Sequence, residues 1–137
     1  MIIVSACLAG INCNYEGGNK GNSKIVEMVN KGQAIPVCPE QLGGLITPRC
    51  PAEIKNGRLI TKNNVDVTAE FQKGAEEVLN ICKKYNCKKA ILKSKSPSCG
   101  CGAIFNGEFT GTLIKGDGIT TRLLKENHIE VISSDDI

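Results

Sequence analysis

Three cysteines of this chain each follow a short apolar run that is typical of a buried strand. Cys7, Cys38 and Cys99 follow the runs IIVSA, AIPV and AILK, the last through the loop segment SPS. In a parallel α/β sheet the carboxyl ends of the strands share one edge, where ligands bind. We therefore expect the three thiols to meet there, and a group of thiolates is typical of a metal or iron–sulfur site.

Glycines surround these three cysteines. Gly10, Gly43-Gly44, Gly100 and Gly102 follow the strand ends closely. Because glycine has no side chain, the backbone can come close to an inorganic ligand at these positions. Exposed amide N–H groups could then form hydrogen bonds with bridging sulfides, which tune the potential of a cluster.

The other five cysteines divide into two groups. Cys82 lies on the apolar face of a predicted helix, so we expect a small buried hydrophobic residue, and Cys87 precedes a strand and receives no chemical role. Cys13, Cys50 and Cys101 stay open as possible further ligands.

A structural zinc module is one alternative for these thiols. It would use Cys7, Cys38, Cys99 and one of the three open cysteines, and the C-G-C segment that ends at Cys101 is also met in zinc sites. The chain has no C-x-x-C pair, however, and its one histidine, His128, lies in a turn. The pattern favours an iron–sulfur site over zinc.

Length and composition predict one globular domain over residues 1–137. Hydrophobic residues make up 41% and charged residues 23%, so a core can form without disulfides. No basic region precedes the first apolar residues, and no apolar run approaches the roughly 18 residues of a membrane span. We therefore expect a cytoplasmic protein without membrane contact.

The charge pattern does not predict a nucleic-acid surface. The net charge is only +3, and the one dense basic stretch, Lys83-Lys84 and Lys88-Lys89, surrounds the end of a helix. Such a run is typical of a solvated face, since nucleic-acid binding requires a denser basic patch.

The element pattern alternates strand and helix. Helices are predicted after a cap at Asn22 or Ser23, over Thr68–Tyr85, and after a cap at Asp117 or Thr120. Strands are predicted at the three runs above and at residues 129–132.

Two Asn-Gly pairs, at Asn56-Gly57 and Asn106-Gly107, predict tight β-hairpins. The pattern as a whole predicts a three-layer α/β fold of the Rossmann-like or flavodoxin-like kind. This fold has a parallel sheet of about four strands, right-handed crossovers and two β-hairpins at its rim.

Several motifs in this order resemble those of the thiouracil desulfidase family, and the resemblance extends over nearly the whole chain. They are SACLAG from Ser5, NYEGG from Asn14, VCPE from Val37, GGL from Gly43, TPR from Thr47, SPSCG from Ser96 and GDGIT from Gly116. The resemblance implies an enzyme with a 4Fe-4S cluster that removes sulfur from 2-thiouracil-like compounds without net redox change.

By the same resemblance, Cys7, Cys38 and Cys99 hold the cluster and leave the fourth iron open for the sulfur of the substrate. The catalytic glutamate of the family falls on Glu40, which as a general base would activate water for attack on the thiocarbonyl carbon. The active-site serine falls in the SPSCG loop, where we favour Ser98 over Ser96.

The chain departs from the family pattern at two positions. Glu16 replaces an aspartate, and Cys50 stands where proline is expected; a thiol reaching the cluster from there would occupy the open iron. A sulfide carrier or an enzyme acting on thiolated nucleosides or a thiolated tRNA base would use the same open iron. The sequence leaves both open as alternatives, together with the oligomeric state.

Overall fold

A computed structural model describes all 137 residues and contains eight strands and four helices. They are, in chain order, β1 (Ile2–Ser5), α1 (Ser23–Asn30), β2 (Ala34–Val37), α2 (Pro39–Leu42), β3 (Ala52–Lys55), β4 (Arg58–Thr61), α3 (Thr68–Lys84), β5 (Lys89–Leu92), β6 (Ala103–Phe105), β7 (Leu113–Lys115), α4 (Ile119–Glu126) and β8 (Glu130–Ser133). A 3-10 turn, Ala6–Ala9, follows β1 directly. No helix is both long and apolar enough to cross a membrane.

The central sheet has four parallel strands in the order β2-β1-β5-β8, which confirms the predicted α/β class. Val4 of β1 pairs with Pro36 on one side and Ile91 on the other. Proline has no N–H to donate, and its place in β2 fits an edge strand. The strand order reverses between β1 and β5, so the sheet has its topological switch point there.

Helices cover both faces of this sheet, as the three-layer prediction requires. Alternate residues of β1 serve the two sides, since side chains along a strand point to opposite faces. Val4 packs with Ile25 of α1, whereas Ile3 packs with Val78 of α3 and Leu124 of α4. The sheet is therefore buried on both faces.

The two hairpins form separate two-stranded sheets, β3-β4 and β6-β7. The first turns at Asn56 and Gly57, with φ angles of 51° and 76°, which fits the predicted tight turn. The predicted tight turn at Asn106-Gly107 is wrong, because residues 106–112 form a seven-residue loop between β6 and β7. The Asn106 side chain accepts the N–H of Glu108 at 2.9 Å, which turns the chain away from β6.

The predicted cap of α1 is confirmed, whereas that of α4 is wrong. The Asn22 side chain accepts the N–H groups of Lys24 and Ile25 at 2.9 and 3.3 Å. Gly118, not Asp117 or Thr120, is the capping residue of α4. The side chain of Asp117 is already used, because it accepts the Gly102 N–H at 2.8 Å.

Helix α2 lies against α3 at two glycines. A Cβ added at Gly74 would lie 1.8 Å from the Pro39 carbonyl oxygen, and one added at Gly43 would lie 1.9 Å from the Glu70 carbonyl oxygen. The two backbones therefore meet directly, and this contact fixes the place of α2 on the sheet.

Gly74→Ala is expected to destabilise the protein although it lies inside a helix. At an open helix position this change would stabilise by about 1 kcal/mol through propensity, but here the new methyl group meets backbone, so we expect a net loss of at least about 2 kcal/mol. Urea unfolding measures the difference. Lys73→Ala, at the exposed neighbouring position, is the control and should change the free energy of unfolding little. Equal stability of Gly74→Ala and the wild type would contradict the packing described.

Candidate functional site

A cavity of about 500 Å³ opens at the carboxyl edge of the sheet, beside the switch point between β1 and β5. The segments after three neighbouring strands contribute to its wall. All five residues predicted for the site line it: Cys7, Cys38, Cys99, Glu40 and Ser98.

The structure separates the three cysteines that the sequence left open. Cys13 is buried and lines the cavity. Cys50 lies outside it, with its thiol against the side chain of Asn63. Cys101 also lies outside, 3.8 Å from the carbonyl oxygen of Val131. Only Cys13 is therefore a neighbour of the three predicted thiols.

The two cysteines given no site role lie in the core. Cys82 and Cys87 are 1% and 2% exposed and belong to the apolar cluster under α3. The prediction of a buried hydrophobic role for Cys82 is confirmed.

The loop that carries Cys99 is folded by its own hydrogen bonds. The Ser96 hydroxyl accepts the N–H groups of Ser98 and Cys99 at 3.1 and 3.0 Å, and the Ser96 carbonyl accepts the Gly100 N–H at 2.8 Å. Ser96 thus shapes the turn. Because Ser96 makes these hydrogen bonds, the Ser98 hydroxyl is not needed to form the turn.

The start of α4 supports the same loop from below. Ile119 donates its N–H to the Pro97 carbonyl at 2.9 Å, and Thr120 donates to the Ser98 carbonyl at 2.9 Å. A Cβ added at Gly118 would lie 2.5 Å from the Ser98 carbonyl carbon, so the close contact between the backbone of residue 118 and the loop requires glycine. Helix α4 has no side-chain cap because loop carbonyls accept its first N–H groups.

Glu40 lies in α2, two residues after Cys38, and both of its carboxylate oxygens are engaged. Oε1 accepts from Arg49 Nε at 3.0 Å, and Oε2 accepts from the Ser98 hydroxyl at 2.9 Å. The side chain is 16% exposed and reaches the cavity. The carboxylate is therefore held in one orientation at the cavity wall.

Arg49, whose Nε donates to Glu40, is a buried cation at the cavity. Its side chain is only 7% exposed, and its other N–H groups donate to the Thr47 hydroxyl at 2.9 Å and the Cys13 carbonyl at 2.8 Å. Nη2 also lies 4.0 Å from the Cys38 sulfur. Its place in the T-P-R motif was the available signal, but the contacts with Glu40 and Cys13 join residues 9 and 36 positions apart in sequence.

Ser5 is a site residue that the sequence analysis missed. It ends β1, and its hydroxyl donates to the Cys99 sulfur at 3.4 Å while it accepts the Lys93 N–H at 2.9 Å. This residue therefore bridges the ends of β1 and β5 across the switch point. A small buried serine at a strand end carries no distinctive sequence signal.

The thiols have unequal acidities. The pKa of Cys38 lies well below its ordinary value, because the Cys13 thiol donates a hydrogen bond to its thiolate and the Gln41 N–H and the Arg49 guanidinium add to this. The same hydrogen bond, together with burial, raises the pKa of Cys13. Burial raises the pKa of Cys7, and it raises the pKa of Cys99 to about 12.

The donor set fits an iron–sulfur cluster. Thiolates are the ligands that such clusters take, and three of them face one cavity from three different strand ends. No three His, Cys, Asp or Glu side chains are arranged around a position for one metal ion. Ligands of a cluster bind different irons and so need wider spacing than ligands of a single ion.

The chain is similar to known proteins over nearly its full length. A family model described as 2-thiouracil desulfurase matches residues 2–136. A Bacillus subtilis (strain 168) protein, the uncharacterized protein YbbK, is 42% identical over 147 aligned residues, which cover 100% of this chain and 97% of the relative. The solved structure of the [4Fe-4S]-dependent thiouracil desulfidase TudS superposes with a TM-score of 0.95. It is 45% identical to this chain, and the match covers 99% of this chain and 91% of that one.

Cluster-free protein is expected to react with iodoacetamide first at Cys38. Its lowered pKa keeps the thiolate populated at neutral pH and down to lower pH than an ordinary cysteine, whereas Cys99 stays protonated until strongly alkaline pH. The protein is labelled for timed intervals between about pH 5 and 9. Peptide mass spectrometry then gives the order in which the cysteines react. Labelling of Cys99 before Cys38 at neutral pH would contradict the electrostatics described.

Proposed function

Because this chain belongs to the 2-thiouracil desulfurase family, we propose that it is a [4Fe-4S]-dependent desulfidase for a small thiolated pyrimidine. Residues 1–137 would act as one domain. In the reaction, 2-thiouracil and water give uracil and hydrogen sulfide, so the thiocarbonyl sulfur is replaced by oxygen and no electrons are transferred overall. The similarity to TudS over 99% of the chain supports both the cofactor and the substrate class.

Cys7, Cys38 and Cys99 would hold the cluster, since they are the thiols that reach the cavity from three separate strand ends. When bound, the cluster supplies an iron without a protein ligand, a soft Lewis acid that draws electron density from the thiocarbonyl sulfur. Cys13 lies beside Cys38, whose sulfur is 3.7 Å from the Cys13 carbonyl oxygen, so we assign Cys13 a supporting role and not a fourth ligand position.

Glu40 would act as the general base. Its carboxylate is fixed by Arg49 and Ser98 at the cavity wall and can take a proton from water that attacks the thiocarbonyl carbon. The hydroxyl oxygens of Ser96 and Ser98 lie 3.0 Å apart, so the two hydroxyls and the carboxylate form a continuous hydrogen-bonded path. This path can pass the proton on when the sulfur leaves.

One observation carries the proposal: the carboxylate and the three thiols share one cavity. The Ser98 hydroxyl lies 2.9 Å from Glu40 and 3.6 Å from the sulfur of Cys99. Positioning of this kind places an acid–base group beside the reacting atoms, where general acid–base catalysis contributes about 10²–10⁴-fold.

Glu40→Gln is expected to lower uracil formation by about 10²–10⁴-fold while the cluster is retained, because the amide cannot accept the proton. The assay uses anaerobically reconstituted protein with 2-thiouracil and measures uracil, sulfide and the cluster absorbance near 400 nm, about the usual region for such clusters. Glu77→Gln on the exposed face of α3 is the control. Wild-type turnover in Glu40→Gln would exclude the proposed base.

Single serine substitutions at Cys7, Cys38 and Cys99 are expected to reduce the bound iron and sulfide, since serine is a poor ligand for a cluster. Cys50→Ser and Cys101→Ser are matched controls that should keep wild-type iron content, because both thiols lie outside the cavity. Metal analysis for iron and zinc after reconstitution is the measurement. Stoichiometric zinc in place of iron, or full iron in all three variants, would refute the ligand assignment.

A further inference from the structure

A wall of the cavity comes from the second hairpin and has no part in the chemistry described so far. The loop 106–112 between β6 and β7 places Phe109 and Gly111 at the cavity, and Phe105 lines it from the end of β6. Phe105 and Phe109 are the aromatic side chains at the cavity apart from Tyr15, which is 44% exposed. This wall therefore contributes two aromatic rings to the cavity, Phe105 and Phe109.

Phe109 has an unusual backbone conformation. Its φ angle is +55°, in the left-handed region that a bulky side chain rarely adopts. The neighbouring left-handed positions of the loop, Gly107 and Gly111, are glycines. Backbone strain of this kind persists only where surrounding contacts enforce it, and it concentrates at ligand-binding positions.

The enforcing contact is the carboxylate of Glu53 in β3. Its Oε1 accepts the N–H groups of both Gly107 and Phe109, at 3.0 and 3.1 Å. A Cβ added at Gly107 would lie 2.5 Å from the Ile54 carbonyl oxygen, so the loop is seated directly on the first hairpin. The nearby pair of Lys55 and Glu108 is exposed and contributes little.

We propose that Phe109 is a specificity-determining residue whose ring packs on the flat face of the thiolated pyrimidine, and that Glu53 is the positioning residue that holds it there. The inference rests on the proposed function for the identity of the ligand. A planar heterocycle gains binding energy from an aromatic face. Water attacks the thiocarbonyl carbon from one face of the heterocycle, so a phenyl ring on the opposite face contributes similarly to binding of the substrate and of the transition state.

Two substitutions at Phe109 separate the ring from the backbone. Phe109→Leu keeps an apolar side chain but removes the planar face, and Phe109→Asn removes the ring while asparagine accepts the left-handed conformation. Each is expected to raise KM for 2-thiouracil roughly tenfold with kcat within about twofold of wild type. Glu108→Gln, in the same loop but outside the cavity, is the matched control and should keep KM.

A binding measurement accompanies the kinetics. Isothermal titration calorimetry of uracil, the product, against the cluster-loaded enzyme should show affinity reduced by the same factor in both Phe109 variants. Unchanged KM and unchanged uracil affinity in both variants would overturn the inference and leave the proposed function standing. If the wild type forms no uracil from 2-thiouracil, the proposed function fails instead, and uracil binding still decides the role of the ring.

Glu53 is tested by a conservative pair. Glu53→Gln keeps an oxygen that can accept the two N–H groups and should keep KM near wild type, whereas Glu53→Ala releases the loop and should raise KM as Phe109→Leu does. This split, with kcat retained in both, decides the question even if the Phe109 variants do not fold. Wild-type KM in Glu53→Ala would overturn the positioning role.

Discussion

The buried guanidinium of Arg49 is the interaction on which the arrangement of the site depends. A cation with 7% of its side chain exposed is tolerated only when its donors find partners. Arg49 meets this requirement by joining Glu40, the hydroxyl of Thr47 and the carbonyl of Cys13. The loop that carries Thr47 and Arg49 is thereby tied to α2 and to the segment of Cys13 that follows β1. The Glu40 carboxylate, Cys13 and the strand-end thiol of Cys38 consequently lie in one corner of the cavity.

The sheet and its cysteines were within reach of sequence reasoning for a physical reason. Short apolar runs such as that of β1 are typical of strands that are buried on both faces. The carboxyl ends of parallel strands lie at one edge of the sheet, which brings Cys7 and Cys38 to the same side. The helix cap at Asn22 was equally accessible, because the cap forms between residues two and three apart. Local constraints of this kind are visible in the order of residues.

Contacts across the fold were not accessible in the same way. A longer loop replaces the tight turn predicted at Asn106-Gly107, because Glu53, more than 50 residues earlier, accepts two N–H groups of the loop. The cap of α4 failed as a prediction because carbonyls of the Cys99 loop already accept its first N–H groups, which makes a polar capping side chain unnecessary. Ser5 and Arg49 gain their significance in the same manner, from partners that no local pattern specifies. The family motifs contain Ser5 and Arg49 but do not indicate which residues they contact.

The hydrogen bonds within the loop of Cys99 have a consequence for how the loop is ordered. The loop receives hydrogen bonds from the Ser96 hydroxyl, from the α4 amides and from the hydroxyl of Thr121, which donates to the Cys99 carbonyl at 2.8 Å. In a small zinc finger, by contrast, metal binding supplies the free energy of folding. In this chain, hydrogen bonds between protein groups contribute to the loop conformation, so part of the free energy that orders the strand-end thiol of Cys99 comes from the polypeptide itself.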